Sequence, residues 1–111
     1  MDTGIRGKVA MVSGASKGIG RAVADKLAAE GASLSLCARG LPALRDVAGQ
    51  LEDKHGVACL AVPADLSRGE DIQGWVRATR ERFGGVDILI NNAGAAQGGP
   101  FLELPDQAWL D

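Results

Sequence analysis

With 111 residues the chain has material for one hydrophobic core and not two. An apolar fraction of 46% with 23% charged residues fits an ordinary globular domain, and a net charge of −2 leaves no basic footprint for nucleic acid. The N-terminus, MDTGIRGKV, lacks an apolar signal region, and no apolar run approaches the length of a membrane span, so no membrane partner is expected and a cytoplasmic location is predicted.

The first predicted strand is the short apolar run 9–12, suited to burial on both faces. Gly14, Gly18 and Gly20 punctuate the next stretch, and from Ile19 the apolar positions Ile19, Val23 and Leu27 recur at helical spacing. A strand that turns directly into a helix leaves the first helical N–H groups unpaired at the positive end of the dipole, which attracts phosphate. The spacing is G-x-x-x-G-x-G, which matches neither the general G-x-G-x-x-G dinucleotide fingerprint nor a Walker loop. Gly14 is expected to make the tight turn, Gly18 to admit a pyrophosphate against backbone, and Gly20 to let helix and strand pack closely. The competing reading is a glycine-rich turn with no ligand.

Gly31 is expected to stop the first helix, and residues 33–38 read as a second strand closed by Arg39 and Gly40. Leu44, Val47, Ala48 and Leu51 mark the buried stripe of a second helix that ends near His55 and Gly56. His55, the single histidine, is expected to face the helix dipole or solvent. The third strand covers 58–62, with Asp65 just past its end. Ser67 and Glu70 form an expected capping box for a third helix, whose buried face is Ile72, Val76, Thr79 and Phe83 with Trp75 flanking it. Gly84 and Gly85 stop that helix, residues 86–90 form a fourth strand, and Asn91, Asn92, Ala93 and Gly94 come next. A Gly-rich loop over 95–100 leads to the first turn of a fourth helix at Pro105 and Asp106. Cys37 and Cys59 fall in predicted strands with no second pair, which predicts reduced buried thiols and neither disulfide nor metal.

Strand starts at Lys8, Ser33, Ala58 and Val86 recur at near-equal spacing, the signature of a repeated strand–helix unit. Such a repeat builds an open parallel sheet with helices on both faces and ligands at the carboxyl ends of the strands. The glycine turn, Arg39, Asp65 and the Asn91–Gly94 run all lie at that edge. Convergence of four separate loops favours a ligand site over packing alone.

These residues carry a resemblance to the short-chain dehydrogenase/reductase family over nearly the whole chain. The family motif T-G-x-x-x-G-x-G stands here as Ser13-Gly14-Ala15-Ser16-Lys17-Gly18-Ile19-Gly20, with Ser for the leading Thr, and N-N-A-G stands intact as Asn91-Asn92-Ala93-Gly94. The resemblance implies an α/β, Rossmann-type doubly wound parallel sheet of order 3-2-1-4, truncated after the fourth strand, in a single dinucleotide-binding domain spanning 1–111 and incomplete at its C-terminus. It implies that Gly14, Ser16, Lys17, Gly18, Ile19 and Gly20 line the pyrophosphate and nearby ribose, and that Asp65 faces the adenine edge with Leu66 alongside. Asn91, Ala93 and Gly94 are then expected to border the cofactor, while Asn92 ties the fourth strand into the sheet. Both asparagines could instead serve only backbone groups at a strand end.

In the family the chemistry belongs to a serine and a Tyr-x-x-x-Lys motif placed after the segment that aligns here. This chain has no tyrosine, so no catalytic residue is assigned in it. The expected function is the NADP(H)-binding portion of an oxidoreductase acting on a hydroxyl or carbonyl, with a small-molecule substrate only in a full-length form, where residues 98–102 would approach it. The alternative is a non-catalytic NADP(H)-binding module or inactive fragment. NADP(H) is favoured over NAD(H) because Ala38 and Arg39 stand where an acidic residue would hold the ribose 2′-hydroxyl, with Lys17 as a second positive charge; Arg39 could also be only a solvated loop residue. Truncation after strand 86–90 is expected to leave that strand an exposed edge and a surface for self-association.

Overall fold

The apolar runs and helical stripes fold into a five-stranded sheet with helices on both faces, in the order β1 (Val9–Ser13), α1 (Gly18–Ala29), β2 (Ser33–Ala38), α2 (Leu41–His55), β3 (Cys59–Pro63), α3 (Gly69–Phe83), β4 (Ile88–Asn91) and β5 (Phe101–Glu103). The computed structural model describes residues 4–92 and the backbone of Phe101–Glu103. Ala93 and Gly94, the predicted 95–100 loop and the predicted helix at Pro105 and Asp106 lie outside the described residues, as do the side chains expected near substrate.

The sheet order is β3-β2-β1-β4-β5. β1 pairs in parallel with β2 (Val9 opposite Ser33) and with β4 (Ala10 opposite Ile88), and β2 pairs in parallel with β3, as the 3-2-1-4 order requires. Side chains alternate across the sheet. Ala10, Val12, Leu34, Leu36 and Ile90 face α1 and α2, whereas Met11, Cys37 and Leu89 face α3. The α2 stripe of Leu44, Val47, Ala48 and Leu51 is buried as expected. Cys37 and Cys59 are free and buried, and burial pushes each thiol up to about 12.

Five expectations are corrected. β4 is not an open edge, because Phe101–Glu103 folds back antiparallel on it, with Asn91 opposite Phe101 and Leu89 opposite Glu103. β4 also begins two residues later than predicted: the Asp87 carboxylate accepts the Val9 N–H at 2.8 Å, so a side chain does the work of the ladder there. The capping box does not form. The Asp65 carboxylate takes both the Ser67 N–H (3.0 Å) and its hydroxyl (2.7 Å), Glu70 pairs with Arg68, and the helix starts at Gly69 behind Arg68 with no side-chain cap.

The buried face of α3 is rotated towards Trp75. Trp75, Val76 and Thr79 are buried, whereas Ile72 and Phe83 are half-buried. The rotation satisfies the indole: Trp75 Nε1 donates to Ser35 Oγ at 2.9 Å, the Ser35 and Thr79 hydroxyls lie 2.6 Å apart, and Thr79 donates to the Trp75 carbonyl at 2.8 Å. Finally, Ile19 is 52% exposed, and the core face of α1 is made of Gly20, Ala24, Leu27 and Ala28. Small residues there let the helix lie close on the sheet.

Candidate dinucleotide site

The carboxyl ends of β1 to β4 bring the predicted residues to one edge. Ser13 ends β1, Arg39 follows β2, Asp65 follows β3, and Asn91 ends β4 with Asn92 next. The glycine turn is shaped by backbone. Gly14 and Gly18 both have φ of 62°, in the left-handed region that side chains rarely adopt. A Cβ on Gly20 would stand 2.1 Å from the Gly14 carbonyl oxygen and 2.9 Å from Asn92 Nδ2, whereas a Cβ on Gly18 would meet nothing within 4 Å among the described residues. Gly20 is therefore required by the turn and Asn92 more than by helix–strand packing, and Gly18 faces open space.

Lys17 is the extended residue before α1, and its side chain does not cap that helix. Its first N–H groups, with the dipole behind them, are available to an anion. Lys17, Gly18 and Ile19 are exposed and Ser16 is half-buried, so each can meet a ligand. Ala15 is wholly buried and its N–H donates to the Cys37 carbonyl at 3.2 Å, anchoring the turn to β2.

One hydroxyl joins the turn to β4. Ser13, with no exposure, accepts the Asn92 N–H at 2.7 Å and donates to Asn91 Oδ1 at 3.2 Å. Sequence reasoning missed Ser13 as a positioning group; the signal was its place as the hydroxyl leading the glycine motif. Asn92 is buried, and its Oδ1 has no partner among the described residues.

Arg39 is exposed, two residues before α2. Asp65 sits within its field. The Asp65 carboxyl is held below the usual carboxylate range first by the Ser67 hydroxyl, then by the Ser67 N–H, with smaller help from Arg39 and Arg68. The Asp71 carboxylate accepts the Asp65 N–H at 2.8 Å, fixing this corner, and Leu66 packs half-buried beneath it against the α3-side core. Among the described residues no cluster of His, Cys, Asp or Glu could hold a metal, and no helix is long and apolar enough to cross a membrane. His55, expected to face the dipole or solvent, instead bonds Asp25 of α1 at 2.8 Å, away from this edge.

Comparison with known proteins agrees with this geometry. A family model described as short chain dehydrogenase matches residues 8–111. The 3-oxoacyl-[acyl-carrier-protein] reductase of Vibrio cholerae is 36% identical over 107 residues, covering 96% of this chain and 42% of the relative. The L-sorbose reductase of Gluconobacter frateurii, solved with NADPH and L-sorbose, is 45% identical with a TM-score of 0.78 over 80% of this chain and 34% of its own. A short-chain dehydrogenase/reductase of Burkholderia phymatum, solved with NAD, is 36% identical with a TM-score of 0.74 over 77% of this chain and 30% of its own. The chain spans between 15% and 45% of the length of the curated relatives it matches, about two fifths for most. By the family match, the strand order and the glycine turn together, the chain belongs to the short-chain dehydrogenase/reductase family.

Proposed function

We propose that this chain is the nicotinamide-dinucleotide-binding portion of an oxidoreductase acting on a hydroxyl or carbonyl, and that it prefers NADP(H) to NAD(H). Relatives solved with NADPH and with NAD support dinucleotide binding. The residues fit such a ligand: among the described residues nothing stands within 4 Å of where a Gly18 Cβ would be, and Lys17, the residue before α1, makes no side-chain cap. Gly14, Ser16, Lys17, Gly18, Ile19 and Gly20 hold the pyrophosphate side, Asp65 and Leu66 the adenine side, and Asn91, with Ala93 and Gly94, the far end. The observation that carries the preference is Arg39, an exposed cation at the end of β2 where an acid would favour the unphosphorylated ribose. Lys17, also exposed, adds a second positive charge on the neighbouring loop.

A bound nicotinamide supplies or accepts a hydride. This chain's residues bind and orient the dinucleotide; with no tyrosine in the sequence, no phenol stands ready to move the proton of a hydroxyl or carbonyl oxygen. The chain is therefore expected to bind without turnover. Purified chain is assayed by nicotinamide absorbance against a panel of alcohols and carbonyls and, in parallel, by equilibrium binding of NADPH. Binding without turnover supports the proposal. Turnover that is abolished in Gly18→Glu overturns the assignment of binding alone, and absence of binding overturns the site.

A further inference from the structure

The sheet ends at β3 on one side and at β5 on the other. α2 closes on Gly56, whose left-handed backbone (φ 71°) turns the chain back so that β3 starts at Cys59. The Ala58 carbonyl accepts the Leu34 N–H, and the Ala64 N–H donates to the Ala38 carbonyl, so the even-numbered residues from 58 to 64 point their backbone groups at β2. Cys59, Ala61 and Pro63 therefore point theirs away from the sheet, along a free edge.

The outward positions differ in what they can offer another strand. Pro63 has no N–H to give. The Cys59 N–H is already donated, at 3.1 Å, to Glu52 Oε2, a carboxylate carried by the last turn of α2. Ala61 is left as the one outward N–H with no partner among the described residues. A strand carbonyl seeking the Cys59 N–H must displace a carboxylate, and charge-assisted hydrogen bonds are the stronger kind. Were a second copy to lay its β3 antiparallel on this one about a two-fold axis at Ala61, Cys59 of each copy would face Pro63 of the other, and only the Ala61 pair would keep both its bonds. Burial, then the Glu52 carboxylate, push the Cys59 thiol up to about 12 while Arg82 of α3 opposes them, so a charged side chain borders this edge from each helix layer. Charges and proline beside an edge strand hinder pairing with another chain.

We propose that Glu52 and Pro63 close the β3 edge to a second copy of this chain, so that two side chains, and no covering element, end the sheet there. The proposal is independent of the nucleotide assignment. It is tested by sedimentation equilibrium of the 111-residue chain and its variants over a range of concentrations, with melting curves and hydrogen exchange at the Ala61 amide. Glu52→Ala combined with Pro63→Val is expected to tighten self-association at least about tenfold over the parent, the scale of a few released hydrogen bonds, and to slow exchange at Ala61. Pro63→Val alone is expected to tighten it by a smaller factor. Glu52→Gln, whose amide oxygen still accepts the Cys59 N–H, is expected to stay at the parent value. Should Glu52→Ala melt without a cooperative transition, Pro63→Val decides. Unchanged association in the double variant or, where it decides, in Pro63→Val overturns the inference. So does tighter association with Ala61 still exchanging at the parent rate, which places the contact elsewhere on the molecule. Glu52→Gln associating as tightly as Glu52→Ala overturns the role of the Cys59 bond.

Discussion

Gly18 and Gly20 look equivalent as letters and act differently as atoms. At Gly20 the space for a Cβ is already filled by the Gly14 carbonyl, so Gly20→Ala must push backbone aside at a cost of about 1–3 kcal/mol. At Gly18 a Cβ finds room, and the cost is only that of left-handed backbone, about 1–2 kcal/mol. The room it takes is that assigned to the pyrophosphate. We expect Gly20→Ala to lower the melting temperature more, and Gly18→Ala to lower nucleotide affinity out of proportion to its stability loss. Melting curves with and without NADPH separate the two. Ser13 offers a third residue-level test. Ser13→Ala leaves the buried Asn92 N–H without its acceptor, which costs about 1–3 kcal/mol and loosens the turn against β4. Denaturant unfolding measures that loss, and an unchanged midpoint would show that Asn92 finds another acceptor.

At the level of elements, the readable and the hidden divide by the reach of the interactions. The stripe of α2 and the alternation in β1 and β2 repeat at the periods of helix and strand, so they can be seen in the order of residues alone. The start of α3 cannot be read this way. Ser67 and Glu70 have cap spacing, yet Asp65 competes for the Ser67 hydroxyl and wins it at 2.7 Å. Helical period alone puts Trp75 at the flank, because a period assigns faces without saying that Ser35, forty residues away, offers its indole an acceptor. The contact of Asp25 with His55, thirty residues apart, is hidden in the same way, and it has a pH signature. Hydrogen bonds from His55, then Lys54, hold the Asp25 carboxyl below its ordinary value. A carboxyl lowered by folding stabilises above its unfolded value, about 3.9, and that stability is lost as pH falls through the folded value. The side chain is 40% exposed, so solvent screening limits the effect to about 0.5 kcal/mol. Asp25→Asn should therefore be slightly less stable than the parent at about pH 6, and the difference should vanish as pH falls through the folded Asp25 value. Chemical denaturation across that range checks the convergence.

For the whole molecule, the open parallel sheet was legible because strand and helix lengths alternate regularly, its 3-2-1-4 order came from the resemblance to the family, and the candidate edge was legible because all its unusual residues follow strands. The links that make the edge a site were not legible. Ser13 to Asn91 and Asn92 spans most of the chain, and an antiparallel return of Phe101–Glu103 onto β4 has no marker in three residues. Pairing of β4 with β5 supplies hydrogen-bond partners to an edge that its apolar composition would otherwise leave prone to association. One assignment underlies the functional reading of the molecule: this edge holds a dinucleotide, and Arg39 selects the phosphorylated form. The most direct measurement compares 2′-phospho-ADP-ribose with ADP-ribose by calorimetric titration, since the two ligands differ by one phosphate and carry no reacting ring. We expect the phosphorylated ligand to bind at least about tenfold more tightly, a difference of about 1.4 kcal/mol, and Arg39→Asp to abolish or reverse that preference. Equal binding of the two ligands, or a preference that survives Arg39→Asp, would contradict it.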